Sequence, residues 1–142
     1  MQFSPQENRK LWNDGTYSFK ILESVTFGSK IHYTEDTTSQ KTGNPMLKLV
    51  LEVYNSHGKS IIVLNYITDT MVKKLYNLAH SIGRPDLFVG GELKANDLIN
   101  KTGKLLLTTD KDKSGQFPDK NSVKDYIAAA PASTKLDDEI PF

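Results

Sequence analysis

The chain has 142 residues, 37% hydrophobic and 25% charged, with 18 Lys and Arg against 17 Asp and Glu and no cysteine. That size suits one compact domain with a short extension, and the cysteine count excludes disulfide scaffolds, Cys-ligated zinc and thiol nucleophiles. Charge is uneven along the chain: residues 1–134 hold 17 basic and 14 acidic side chains, so an acidic tail masks a mildly basic body of the kind that attracts phosphate.

Residues 1–14 read as an N-terminal extension with no apolar run of signal-peptide type, and no stretch approaches the roughly 20 apolar residues of a membrane span. A soluble, cytoplasmic protein is expected. Trp12 has no evident place beyond covering one end of the domain. From Gly15, Tyr17, Phe19 and Ile21 alternate with Ser18 and Lys20, the period-2 signature of a half-buried strand. The alternation slips at residues 22–24, which predicts a bulge and a continuation through Val25 and Phe27. Residues 28–44 are rich in Ser, Thr, Lys and Gly and read as a long, mobile loop.

The second predicted strand spans residues 45–54, with Leu47, Leu49, Leu51 and Val53 on a core face and Met46, Lys48, Val50, Glu52 and Tyr54 on the other. Residues 55–59 form a hairpin turn into a β-branched third strand over 60–67, paired antiparallel with the second. Asp69 is placed to cap a helix in which Met71, Val72, Leu75, Leu78, Ala79 and Ile82 keep helical spacing until Gly83 and Pro85. On this reading Tyr17, Phe19 and Tyr76 are buried. A loop over 84–91, a short helical piece over 95–100 and a short fourth strand over 104–109 follow. A polar excursion over 110–120 leads to a fifth strand containing Val123, Tyr126 and Ile127.

Three strands, a helix and two more strands is the element order of a five-stranded OB-fold barrel, so the expected fold is mainly β, with the domain over 15–127. Residues 128–134 are Ala-rich with little to bury and read as a linker into a disordered tail over 128–142. That tail ends in Asp137, Asp138, Glu139, Ile140, Pro141 and Phe142. An apolar anchor beside a carboxylate suits a hydrophobic pocket with a cationic neighbour, and acidic residues suit a basic rim.

The ending Asp-Asp-Glu-Ile-Pro-Phe resembles the C-terminal tip of bacterial single-stranded DNA-binding proteins. The body is similar to a group of phage and mobile-element single-stranded DNA-binding proteins through Gly15-Thr-Tyr17, Gly43-Asn-Pro-Met-Leu-Lys-Leu and Lys120-Asn-Ser-Val-Lys-Asp-Tyr126. It departs from the usual chromosomal bacterial form in a helix-rich insertion after the third strand. The resemblance implies sequence-independent binding and protection of single-stranded DNA in replication, recombination or repair. It also implies self-association into a homo-oligomer and recruitment of replication or repair proteins by residues 137–142.

Single-strand binders combine cations for the backbone with aromatic faces for the bases. On the outward face of the second strand these are Lys48 and Tyr54, with Lys20 and Tyr66 as neighbours; Lys59 lies in the adjoining turn. Phe27, Lys30 and Tyr33 flank them from the long loop, and Lys111, Lys113 and Phe117 from the 110–120 excursion. Tyr33 and Phe117 stand among polar residues with little core to join. Two other classes use similar surfaces, namely an OB-fold RNA-binding module and a protein-interaction adaptor.

Catalytic signatures are lacking in the sequence. His32, His57 and His80 have no metal-ligand spacing, so neither metal nor cofactor is expected. Gly58-Lys59-Ser60 resembles the end of a phosphate-binding loop, but Val53 stands where its first glycine belongs.

Overall fold

The computed structural model describes residues 11–27, 29–110 and 119–128, with Phe27 described by its backbone alone. The elements follow as β1 (Gly15–Leu22), β2 (Ser24–Phe27), β3 (Lys30–Tyr33), β4 (Glu35–Thr38), β5 (Pro45–Tyr54), β6 (Ser60–Thr68), α1 (Val72–Ser81), α2 (Pro85–Val89), α3 (Ala95–Leu98), β7 (Thr102–Asp110) and β8 (Lys120–Ile127). The protein is mainly β, and every ladder is antiparallel.

β5 organises the larger sheet because its alternation supplies a continuous apolar face. Leu49, Leu51 and Val53 are fully buried, and Leu47 nearly so. Burial of each such side chain is worth roughly 1.5–3 kcal/mol. One edge of β5 pairs with β6; the other is shared, residues 45–48 pairing with β4 and residues 50–54 with β1. β1 continues to β7 and β7 to β8. Phe19 and Ile21 of β1, Leu105 and Leu107 of β7, and Leu98 of α3 close over the same core.

Thr34 holds the point where β1 hands over to β4. Its hydroxyl donates to Leu22 O at 2.6 Å and accepts from Val50 N at 2.9 Å, while its own N–H donates to Glu23 O at 3.0 Å. These bonds turn the chain back after Leu22. The predicted continuation of the first strand through Phe27 is therefore incorrect: β2 belongs to a separate two-stranded sheet with β3. The expected loop over 28–44 likewise contains two strands, β3 and β4. β4, with sequence Glu-Asp-Thr-Thr, is held by backbone bonds to the open edge of β5, which need no apolar side chains.

α1 buries Leu78 and Ala79 and packs on β7 and β8. Ser81 Oγ both donates to Lys104 O and accepts from Lys104 N at 2.9 Å. This close docking requires glycine at 103, since a Cβ there would meet Ser81 Oγ, Ser81 O at 2.8 Å and the Phe19 ring at 3.1 Å. The helix starts at Met71 without a side-chain cap, so Asp69 is not its cap; the Asp69 N–H instead donates to Pro45 O at 3.1 Å. Gly83, at φ +75°, ends it.

The predicted 84–91 loop contains α2, whose first turn Pro85 presets. β7 is longer than expected, because Lys101 O accepts from Ile21 N at 2.9 Å and carries the pairing with β1 further. Trp12 half-covers the core beside Tyr17, their rings 5.2 Å apart, so Tyr17 is half-buried and not buried. The expected burial of Tyr76 is also incorrect. It is 42% exposed, stacked on His80 at 3.9 Å and edge-on to Phe88 at 5.2 Å. Lastly, the expected closed five-stranded barrel is not what the ladders form: the sheet has six strands and is not closed. β6 and β8 are bridged by a side-chain bond from Tyr126 OH to Asn65 Oδ1 at 2.7 Å.

Candidate nucleic-acid interface

Strand register assembles the outward face of the sheet in rows. Lys104, Ser18, Tyr54 and Ser60 lie across β7, β1, β5 and β6; Thr102, Lys20, Glu52 and Ile62 form the next row. Further along, Leu22, Val50 and Leu64 align, and then Glu35, Lys48 and Tyr66 across β4, β5 and β6. Lys20, Lys48, Tyr54 and Tyr66 thus share one face, as expected. Ser60 and Tyr66 are six residues apart, so Tyr54 and Tyr66 stand at the two ends of that face, about 20 Å from one another.

Between those ends the β2–β3 hairpin folds onto the face. Val50 points outward yet is fully buried, and His32 Nδ1 lies 3.2 Å from Lys48 Nζ. Lys48 also lies 4.0 Å from Glu35 Oε2, and its side chain is only 15% exposed. Its charge is already engaged, so it is a weaker phosphate contact than its position in the sequence implies. Tyr66 is open, at 45% exposure, and so is Tyr33 on the hairpin, at 48%. Lys30 is exposed where the hairpin turns.

At the other end, Tyr54 OH donates to Glu52 Oε1 and Ser60 Oγ donates to Glu52 Oε2 at 3.0 Å. The Tyr54 ring is therefore held by its hydroxyl. The bond to Glu52 raises the Tyr54 phenol from its ordinary value, with burial and the Glu52 charge adding to the effect. Lys59 is exposed in the following turn, where Asn55 Oδ1 accepts from His57 N at 2.9 Å and Lys59 N at 3.0 Å. Strand, turn and strand surround Gly58-Lys59-Ser60, so this is no strand-to-helix phosphate loop.

Sequence reasoning passed over Glu52 and Lys104. Both were visible in principle, since Glu52 shares the alternating row of Lys48 and Tyr54, and Lys104 opens the fourth predicted strand. The Phe27 side chain, Lys111, Lys113, Phe117 and the tail residues Asp137, Asp138, Glu139, Ile140, Pro141 and Phe142 lie outside the described residues.

A cleft of about 750 Å³ opens elsewhere, where β4 and the start of β5 meet the end of β6, α1 and α2. Met46, Val72, Leu75 and Phe88 line it with Asp36, Asp69 and Glu92. Those three carboxylates outnumber the one lysine of the lining, Lys94, and oppose a phosphate backbone. On α1, Lys74 donates to Val123 O at 3.0 Å; burial pushes its ammonium down, against the pull of Asp125 and Asp110. Among the described residues no group of His, Asp and Glu is placed to hold a metal ion, and no helix is long and apolar enough to cross a membrane.

No family model, no curated protein and no solved structure matches the chain.

Proposed function

We propose that this chain binds single-stranded DNA non-catalytically and without sequence readout, on the outward face of β1, β5 and β6. The observation that carries the reading is the gathering of Lys20, Lys48, Tyr54 and Tyr66 on one sheet face, with Tyr33, Lys30 and Lys59 at its margins. Aromatic rings accept any base and lysines accept any phosphate, which is the chemistry of a strand-coating protein in replication, recombination or repair. The sheet is read as an open relative of the OB-type strand arrangement. β1, β5, β6, β7 and β8 take the places of its five strands, α1 follows the third, and β4 continues the line of β1 along β5.

Fluorescence anisotropy with labelled oligo-dT, oligo-rU and duplex DNA, at about 50 and 200 mM salt, tests this. Tight dT binding that weakens steeply with salt and exceeds duplex binding is the expected result. Preference for rU would move the assignment to an RNA-binding module. The recruitment role of residues 137–142 rests on the sequence alone. Removing residues 136–142 is expected to leave DNA affinity equal or higher while partner capture is lost.

An adaptor reading draws on a different observation: Met71, Val72, Tyr76 and Val89 are exposed beside the acidic cleft, Val89 by 84%. Absence of any salt-dependent oligonucleotide binding would favour it.

A further inference from the structure

Glu52 is out of keeping with a surface built only for phosphate. It lies on the outward face between Tyr54 and Val50, opposite Lys20 on β1 and Ile62 on β6. Among the described residues no ion pair within 4.0 Å includes it; the pairs are Lys48 with Glu35, Arg84 with Asp86 and Lys94 with Glu92. Its two oxygens are held instead by neutral hydroxyls, Tyr54 OH on one and Ser60 Oγ on the other. The carboxylate is thus aimed, and Lys20, which stands opposite it on β1, makes no ion pair with it within 4.0 Å.

A fixed negative charge weakens attraction to the sugar-phosphate backbone, so its chemical use on this face lies with the bases. An ionised carboxylate has about four acceptor positions, and Tyr54 and Ser60 occupy one each. About two remain, all acceptors. Cytosine, adenine and guanine each carry an exocyclic amino donor, whereas thymine presents a carbonyl oxygen where cytosine has its amine and keeps its one donor, the ring N3–H, between two carbonyl oxygens that repel a carboxylate. A base stacked on the Tyr54 ring brings its edge to a residue only two positions away on the same face of β5.

We infer that Glu52 is a base-contacting residue that accepts a hydrogen bond from an exocyclic amine, giving the strand-binding face a preference for cytosine, adenine and guanine over thymine. This rests on the single-stranded DNA reading and adds selectivity to it. Stacking remains tolerant of every base, and the carboxylate grades the bases by their donors.

The test compares dC and dT oligonucleotides of about 15 nucleotides, two pyrimidine strands that differ at the amine. The full chain is expected to bind dC roughly five- to tenfold more tightly than dT, the lower range of a carboxylate-to-cytosine contact. Glu52→Gln keeps an acceptor, adds a donor suited to the thymine carbonyl and removes the charge. It is expected to bind both strands more tightly and to bring their ratio close to one. Glu92→Gln removes an equal charge in the cleft, away from this face, and is expected to retain the wild-type ratio.

A wild-type ratio at or below one, or an unchanged ratio in Glu52→Gln, overturns the inference while leaving the DNA-binding reading intact. Collapse of the ratio in Glu92→Gln to the Glu52→Gln value assigns the preference to overall charge and overturns it as well. Failure of the wild-type chain to bind either strand removes the DNA-binding reading itself.

Discussion

Tyr126 on β8 donates its hydroxyl to Asn65 Oδ1 on β6 at 2.7 Å, with both residues buried, so a hydrogen bond between side chains spans the gap that the strand ladders leave open. Tyr126 also packs edge-on against Phe19 at 5.3 Å. The ring thus serves the core while its hydroxyl ties two sheet edges. Tyr126→Phe keeps the first role and leaves the Asn65 amide oxygen without this donor. A loss of about 1–3 kcal/mol in urea unfolding is expected, with no change in the chain's secondary-structure content by circular dichroism.

Alkaline stability follows from the same site. Burial, with the Asp125 charge adding to it, raises the Tyr126 phenol well above its ordinary value. In the unfolded chain the phenol ionises near pH 10, so above that pH the folded state holds a proton that the unfolded state has released. Its contribution is complete below about pH 10 and is lost as pH climbs from there toward the folded value. Unfolding midpoints measured against pH should fall on this alkaline limb, and Tyr126→Phe should flatten it.

Gly103→Ala is expected to destabilise by about 1–3 kcal/mol, the range for overpacking, because the new methyl meets Ser81 of α1. The obstacle includes the Ser81 carbonyl oxygen as well as its hydroxyl. Adding Ser81→Ala therefore does not restore stability, and it also removes the hydroxyl's bonds to Lys104. Thermal melting of the single and double variants reads both effects.

Thr34→Val replaces the hydroxyl at the β1-to-β4 handover with a methyl of similar shape. The Leu22 carbonyl loses a donor and the Val50 amide loses its acceptor. Hydrogen exchange should accelerate most at the Val50 amide, with a global loss of about 1–3 kcal/mol.

Among the strand-binding candidates, Tyr66→Ala is expected to weaken oligonucleotide binding by about 1–3 kcal/mol, the value of one base stack, while Tyr66→Phe is nearly neutral. Lys59→Ala should lower the slope of log affinity against log salt by about one. Lys48→Ala should lower it less, since Lys48 is mostly covered and already sits beside Glu35. Anisotropy titrations over a salt series separate these outcomes.

The predicted strands differ in how far they could be read locally. Over residues 45–54 strict alternation determined both faces, placing Leu47, Leu49, Leu51 and Val53 in the core and Lys48 and Tyr54 outside it. The helix over Val72–Ser81 and the turn at 55–59 were equally legible, because helical spacing, Asn55 and Gly58 act within a few residues. β3 and β4 were not. Their stability comes from backbone bonds to a partner strand, and residues such as Glu35 and Asp36 carry no apolar period to announce it.

The same division runs through the candidate site. Sequence alone determined that Lys20, Lys48 and Tyr54 stand opposite the core row of their strands and that Tyr66 lies on the third strand, since parity is a property of each strand. Only the tertiary structure decided that β1, β5 and β6 bring them to one face, that the hairpin engages Lys48, and that Glu52 is held between Tyr54 and Ser60. Likewise, Val72 keeps helical spacing yet stands exposed, because which face of α1 is buried depends on where β7 and β8 lie. Periodicity orients a side chain relative to its own strand or helix, whereas contact between elements is set by register and docking, which are properties of the whole fold.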